Sequence, residues 1–254
     1  MLSIDLRGRI ALVMGGSRGI GGAITEMLTR AGAVVIFTHL DPPQLLGDIE
    51  SLVARIEEKG GHATAVLLDA CDATGMTSLV ERTMQQYGKI EILVSNVGHN
   101  VARPAENVTR EEWRRFTDIN LTSAFNCVRA VLPHMVKAKY GKIVFIGSSA
   151  VYSGGGGAID YAAGKGGLIG MAAYLSKEYT RKGIVTNIIH SCLIDTDPPR
   201  KRYSDQAARE KVIASVPVGR LGRPEDVAGL VPFLGPCAGW MDKTLSMRLE
   251  HFHK

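Results

Sequence analysis

An α/β fold is predicted for this chain: a doubly wound, seven-stranded parallel sheet with helices on both faces. Three observations carry that prediction. Short β-branched runs recur along the whole chain, segments with helical periodicity fill the gaps, and the runs are apolar on both faces. A strand with two apolar faces is covered on both sides, and parallel neighbours need a crossover that a helix supplies. The 254 residues show no internal repeat, linker or break in composition. One domain spanning 1–254 is therefore expected, large enough to bury a sizeable core.

The first strand, Ile10–Met14, runs into a glycine-rich turn and a helix over 19–31. Strand Val34–Thr38 follows, then a loop at Asp41-Pro42-Pro43 and a helix over 48–59. Strands Ala65–Leu68 and Ile90–Ser95 flank a helix over 74–87, and a long helical pattern fills 110–138. Strand Lys142–Ile146 leads to a second glycine loop, Gly154–Gly157, and a helix over 160–182. After strand Ile184–Ile189 the alternation breaks from Asp195 to about Val218, a segment that reads as a substrate loop because it leaves a strand end. A helix over 224–234 and a weak strand, Thr244–Leu249, complete the set; Leu245, Met247 and Leu249 alternate as an edge strand requires.

Composition excludes several function classes. The formal charge of +5 and pI of about 9.0 suit an anionic ligand. The basic residues are scattered, with Arg200-Lys201-Arg202 the one dense run, so no nucleic-acid partner is expected. Cys71, Cys127, Cys192 and Cys237 lie far apart with no C-x-x-C pair, and no histidine pair has metal-ligand spacing, so no metal is expected. No apolar stretch reaches the ~20 residues that span a bilayer. The N-terminal residues lack a signal-peptide core, and a cytoplasmic setting without membrane contact is expected.

The glycine turn, Gly15-Gly16-Ser17-Arg18-Gly19-Ile20-Gly21, sits between the first strand and the first helix. In that place glycines permit a tight turn and close approach of a pyrophosphate to the free N–H groups of a helix start. At the tip of the second strand an NAD site carries an acid for the ribose diol. This chain has Phe37-Thr38-His39-Leu40 there, and Arg18 in the turn offers a guanidinium for a 2′-phosphate. NADP(H) is thus favoured over NAD(H). Asp41, two residues past His39, is the residue that would reverse this.

Tyr161 and Lys165 stand one helical turn apart, thirteen residues beyond Ser148. Spacing of i, i+4 places both on one helix face. A nearby ammonium favours a phenolate, and a pKa depressed from about 10 brings a phenol into range for proton transfer. Ser148 then supplies a hydroxyl to hold a carbonyl or alcohol oxygen.

With these residues stand Asp69-Ala70-Cys71-Asp72, Ser95-Asn96-Val97-Gly98, Asp118-Ile119-Asn120-Leu121 and Gly219-Arg220-Leu221-Gly222-Arg223-Pro224-Glu225-Asp226, in that order. On these motifs the chain resembles the short-chain dehydrogenase/reductase family, closest to its 3-oxoacyl-(acyl-carrier-protein) reductases, from about Leu6 to Leu234. The resemblance implies a Rossmann-type sheet and a catalytic tetrad of Asn120, Ser148, Tyr161 and Lys165. Tyr161 would give the carbonyl oxygen its proton, Ser148 would hold that oxygen, Lys165 would hold the nicotinamide ribose and depress the phenol, and Asn120 would hold a relay water. For the cofactor it implies Gly15, Ser17, Arg18, Gly19, Ile20 and Gly21 at the phosphates, with His39 at the 2′ position. Asp69 and Ala70 would meet the adenine, Asn96 the ribose, Gly98 the same turn, and Ile194 and Thr196 the carboxamide and phosphates. Four features depart from the family pattern: Met14 before the turn, Ser95 for an Asn, Ser191-Cys192 for Pro-Gly, and a tail from Thr244 to Lys254 without Asp-Gly-Gly.

The expected reaction is hydride transfer between NADP(H) and a carbonyl or secondary alcohol, with a 3-oxoacyl thioester as the leading substrate. An acyl carrier protein would then be a partner, with Arg129 and the Arg200–Arg202 run as candidate contacts, and His99 and Arg103 as candidate contacts to an acidic substrate. A homotetramer built partly on the 110–138 and 160–182 helices is implied by the resemblance. An NAD-dependent alcohol or sugar dehydrogenase, or a scaffold without turnover, are the alternative readings.

Overall fold

A computed structural model describes residues 4–40, 43–154, 156–196, 205–214, 216–234 and 246–248. Seven strands form one sheet in the order β3-β2-β1-β4-β5-β6-β7, every pair parallel. The strands are β1 (Ile10–Met14), β2 (Val34–His39), β3 (His62–Leu67), β4 (Ile92–Ser95), β5 (Gly141–Ser148), β6 (Ile184–Ser191) and β7 (Ser246–Arg248). Chain order reverses at the β1–β4 boundary, and the crevice beyond the carboxyl ends of such strands is where α/β sheets bind ligands.

The period-two alternation of β1 explains the two-layered core. Ile10, Leu12 and Met14 face α3 (Ala73–Tyr87), α5 (Ser123–Ala138) and α7 (Ile159–Tyr179). Ala11 and Val13 face α1 (Gly19–Arg30), α2 (Leu46–Glu58) and the short helices α9 (Pro224–Ala228) and α10 (Leu230–Leu234). Both faces of the strand therefore read as apolar in sequence.

Local signals set the helix ends. Asp72 caps α3 by accepting from the Thr74 and Gly75 N–H groups at 3.0 Å each. Thr109 and Glu112 form a capping box at the start of α4 (Arg110–Thr117). Gly88 ends α3 in the left-handed region, φ 73°.

Of the boundaries that differ from the sequence expectation, three have a clear physical reason. β3 begins at His62 rather than Ala65, because an edge strand leaves His62 and Thr64 exposed and hides its period from an apolar-run search. The 110–138 pattern is broken by a π-helical turn, Asp118–Thr122, between α4 and α5. The 224–234 helix breaks at Gly229 into α9 and α10. The expected seventh strand forms, with Ile188↔Ser246, Ile189↔Met247 and His190↔Arg248 in register. Within the proposed substrate segment 195–218, Gln206–Ala214 is helical (α8), and Arg209 donates to Asp195 at 3.1 Å. Asp41, Arg200, Lys201, Arg202 and Cys237 lie outside the described residues.

Candidate active site

At the C-terminal end of β1 the chain turns through Gly15, held in the left-handed region at φ 70°. The Gly15 N–H donates to Thr38 Oγ1 at 3.2 Å, and Asn96 Nδ2 donates to the Gly15 carbonyl at 2.8 Å. These two side chains hold the loop where Met14 offers no hydroxyl; the Met14 side chain is fully buried in the core. A methyl at Gly21 would lie 1.9 Å from the Gly15 carbonyl, so only glycine lets α1 start this close to the turn. Gly19, at φ 54°, has Thr196 directly above it, with 3.3 Å between a built Cβ and Thr196 Cγ2. The turn and the exit of β6 thus form two walls of one cradle. Arg18 occupies the N-cap position of α1 without capping it by its side chain, so the first N–H groups of the helix face the cradle. This is a fit for a dinucleotide pyrophosphate: the backbone approaches closely, and donors rather than acceptors line it.

Around this cradle the other expected cofactor residues take different parts. His39 ends β2 and is buried, its carbonyl accepting from the Leu68 N–H at 3.0 Å. Asp69 is exposed and accepts from the Cys71 N–H at 2.8 Å, closing the turn after β3. Ala70 is buried in the core layer of α3 and α5, and Asn126 Nδ2 donates to its carbonyl at 3.2 Å. Asn96 is a strut of the glycine turn through its side-chain amide. Ile194 is buried and bridges to Gly222, where a Cβ would come within 2.5 Å of Ile194 Cδ1. The Gly219–Asp226 motif thereby fixes the segment after β6 that carries Thr196.

Ser148, Tyr161 and Lys165 converge at the C-terminal end of β5. Ser148 ends the strand, and its Oγ accepts from the Ala150 N–H at 3.2 Å and lies beside the Tyr161 phenol. Lys165 is buried at 3% exposure, and its ammonium donates to the Val97 carbonyl at 3.1 Å and the Ile146 carbonyl at 2.9 Å. Burial pulls its pKa down to about 8. Gly98 makes that placement possible, because a Cβ there would meet Lys165 Nζ at 2.8 Å and Asn120 Oδ1 at 3.0 Å.

The expected depression of the Tyr161 phenol is not what the structure shows. Burial pushes the phenol above its ordinary value, and the Ser148 hydroxyl is the contact that opposes the rise. The Lys165 ammonium is directed at backbone carbonyls instead.

Asn120 sits in the π-helical turn, where the extra residue per turn rotates its side chain inward. Its amide donates to the His99 carbonyl at 2.8 Å and the Phe116 carbonyl at 2.9 Å, and its oxygen accepts from the His99 N–H at 3.1 Å. A Cβ at Gly164 would lie 2.7 Å from Asn120 Cβ, so Gly164 lets α7 close against the turn. The sequence search passed over Gly164, although a small residue directly before Lys165 was its visible signal.

Two candidate substrate contacts are otherwise engaged. Arg103 is paired with the buried Asp160 at 2.5 Å and lies over the Phe116 ring, 4.6 Å from its centroid. His99 stacks on the same ring at 5.6 Å, and burial, with Arg115 nearby, lowers its pKa and favours the neutral imidazole. The loop after β4 therefore presents little free positive charge to a substrate. The Ser191-Cys192 departure leaves the strand intact: β5 and β6 pair to their ends at Ser148↔Ser191, and the Ser149 N–H donates to the Ser191 carbonyl at 2.9 Å. His190, which sequence reasoning missed, is fully buried beside Gly147 and approaches the Ser148 carbonyl at 3.1 Å. Among the described residues no cluster of histidine, cysteine and carboxylate side chains has metal-binding geometry.

Known proteins share the sequence and fold of this chain. The family model described as short chain dehydrogenase matches residues 9–207. The 3-oxoacyl-[acyl-carrier-protein] reductase FabG of Escherichia coli is 36% identical over 231 residues, 91% of each chain. Its Thermotoga maritima counterpart is 33% identical over 90% of this chain and 91% of its own. A 3-oxoacyl (acyl-carrier-protein) reductase from Agrobacterium tumefaciens, solved with NADP bound, superposes with a TM-score of 0.87 at 30% identity, covering 96% of this chain and 95% of its own. A Beutenbergia cavernae structure named for NAD(P)-dependent gluconate 5-dehydrogenase activity, also with NADP, gives 0.87 at 29% identity, covering 96% and 97%. The fold, the glycine cradle, the Ser148–Tyr161–Lys165 cluster and these matches place the chain in the short-chain dehydrogenase family.

Proposed function

We propose that the protein is an NADP(H)-dependent reductase of carbonyl compounds, that its substrate class is the 3-oxoacyl thioester, and that an acyl carrier protein delivers it. The observation that carries the reading is the convergence of the Ser148 hydroxyl, the Tyr161 phenol and the Lys165 ammonium beside the glycine cradle. Names of the relatives support the thioester, and NADP in two structural neighbours supports the phosphorylated cofactor. Exposed residues on the elements flanking Ser148 and Tyr161 include Val101, Tyr152 and Ile159, apolar bodies suited to an acyl chain more than to a polyol.

When bound, the dinucleotide supplies a hydride equivalent to the carbonyl carbon. The residues of this chain do the rest. The N–H groups opening α1 and the glycine turn would hold the diphosphate, and Arg18 would pair with a 2′-phosphate. Ser148 donates to the substrate oxygen and aligns it with Tyr161. The raised phenol is fully protonated at neutral pH, so Tyr161 enters the reductive direction already loaded with the proton that the nascent alkoxide takes. Lys165 keeps one N–H beyond its two carbonyl bonds, and that donor would serve a ribose hydroxyl of the cofactor. Asn120, saturated by backbone partners on its donor side, holds the loop that carries Gly98 over Lys165.

A homotetramer is part of the same reading. Between α5 and α7 runs an apolar groove lined by Phe125, Val128, Leu132, Met171, Tyr174 and Tyr179, with Tyr174 61% exposed. Such a face on two adjacent helices suits burial against a second copy. No helix among the described residues is long and apolar enough to cross a membrane.

Steady-state oxidation of NADPH and NADH over a panel of 3-oxoacyl thioesters, small ketones and keto-sugars tests the proposal. Thioester turnover with NADPH at a kcat/KM at least about tenfold above NADH is expected. A preference for NADH with a keto-sugar would move the protein to the sugar-dehydrogenase reading, and no turnover with any substrate would leave a nucleotide-binding scaffold.

A further inference from the structure

Immediately before the phenol, the chain carries an ion pair that the reaction as described does not use. Asp160 is 1% exposed; its Oδ1 accepts the Tyr161 N–H at 2.7 Å and its Oδ2 accepts from Arg103 Nη2 at 2.5 Å. Arg103 is itself anchored four further times. Its Nη1 donates to the Val101 carbonyl at 2.8 Å, its backbone N–H donates to the Gly157 carbonyl at 2.7 Å, its guanidinium covers Phe116, and its Nε stands 3.6 Å from Glu112. Asn100 adds a parallel tie, donating to the Gly156 carbonyl at 2.9 Å.

We propose that Arg103 and Asp160 are positioning residues for Tyr161: together they clamp the loop after β4 to the first turn of α7, so that the substrate side of the site and the proton donor move as one body. The proposal rests on Tyr161 being the proton donor. The chemistry favours a positioning role over simple stabilisation. An acid in the first turn of a helix gains from the dipole while exposed to water, and nothing requires burying it. Burying it demands a matched cation, and such pairs add little stability compared with apolar side chains of the same size. What the pair does supply is direction. The guanidinium fork fixes two groups at once, the Val101 carbonyl on the loop and the Asp160 carboxylate on the helix. Asp160 then hands the constraint to the Tyr161 backbone, one bond from the reacting side chain's Cα. The clamp also reaches the other end of the cluster, because the ring under Arg103 belongs to Phe116, whose carbonyl holds the Asn120 amide.

Three variants of the full chain test this: Arg103→Met, Asp160→Asn, which keeps an acceptor for the Tyr161 N–H, and the double variant. With a ketone that the wild type reduces, each single variant is expected to lose at least about tenfold in kcat while its Kd for NADPH stays within about threefold. The solvent deuterium isotope effect on kcat is expected to rise, because a displaced phenol makes proton transfer slower than the other steps. Unchanged kcat and isotope effect with a lower melting temperature alone would overturn the proposal and leave the pair structural. Where a single variant fails to fold because one buried charge is left alone, the double variant, which removes both, is read by the same criteria. Should the wild type itself turn over no substrate, the proton-donor reading fails first, and the clamp is then read by amide exchange on Arg103→Met. Faster exchange in 98–104 and 156–163 with α1 unaffected supports the clamp, and unchanged exchange in both segments sinks it.

Discussion

Lys165 is the residue whose burial has the most measurable consequence. Its ammonium is enclosed, and desolvation lowers its pKa from the ordinary 10.5 to about 8. The sign follows from proton binding. Between those two values the unfolded chain keeps the lysine charged while the folded chain has released the proton, so the unfolded state binds more protons and stability rises with pH across that window. Below about 8 both forms are charged and the full penalty, about 3 kcal/mol at 1.36 kcal/mol per pKa unit, weighs on the native state. From pH 7 to pH 10 most of that penalty is relieved, about 2–3 kcal/mol. The perturbation is Lys165→Met, which keeps the length of the side chain and removes the titration. Urea unfolding of both proteins without cofactor, at pH 7 and at pH 10, is the assay. The stability of the wild type relative to the variant is expected to improve by about 2–3 kcal/mol over that interval, with the common titration of all other groups cancelling in the difference. A difference that stays flat would refute a desolvated ammonium at this place, and with it the electrostatic picture of the site. The variant is also expected to be inactive.

Tyr161→Phe removes the proton and little else, so the reductive kcat is expected to fall by about three orders of magnitude or more with NADPH affinity retained; a near-normal rate would exclude this donor. Arg18→Ala is expected to weaken NADPH by about ten- to a hundredfold, as loss of a charge-assisted bond implies, and NADH far less; isothermal titration with both dinucleotides decides it, and equal losses would take the guanidinium off the 2′-phosphate. Gly98→Ala forces a methyl to within 2.8 Å of Lys165 Nζ, so a cost of about 1–3 kcal/mol from overpacking is expected together with a lower kcat, measured by thermal melting and turnover. Full stability and full rate in that variant would mean that the ammonium moves aside freely.

The strands and the convergence of Ser148, Tyr161 and Lys165 were legible because their signals are local. β1, β4 and β6 are buried on both faces, which leaves apolar runs in the sequence, and the glycine turn must have its spacing for α1 to begin where it does. Tyr161 and Lys165 share a helix face by periodicity alone. What stayed hidden is set by residues far apart in the chain. The π-helical turn depends on Asn120 finding the His99 backbone and on Gly164 giving it room. The engagement of Arg103 depends on a carboxylate 57 positions away, so its isolated appearance in a loop suggested an open cation. The direction of the Tyr161 shift is a matter of enclosure: periodicity shows that a lysine is near, but not that the phenol is partly desolvated while the ammonium turns to carbonyls.

β6 carries a consequence for anyone handling this protein. It is the strand that ends beside Ser148, it is buried along its whole length, and three residues near the C-terminus, Ser246–Arg248, are its outer neighbour. Shortening the chain before them would bare the backbone donors and acceptors of Ile188–His190, close to Ser148, an open template for sticking to another molecule. A few terminal residues therefore guard solubility and the site in the same stroke, and an affinity handle is safer at the other terminus.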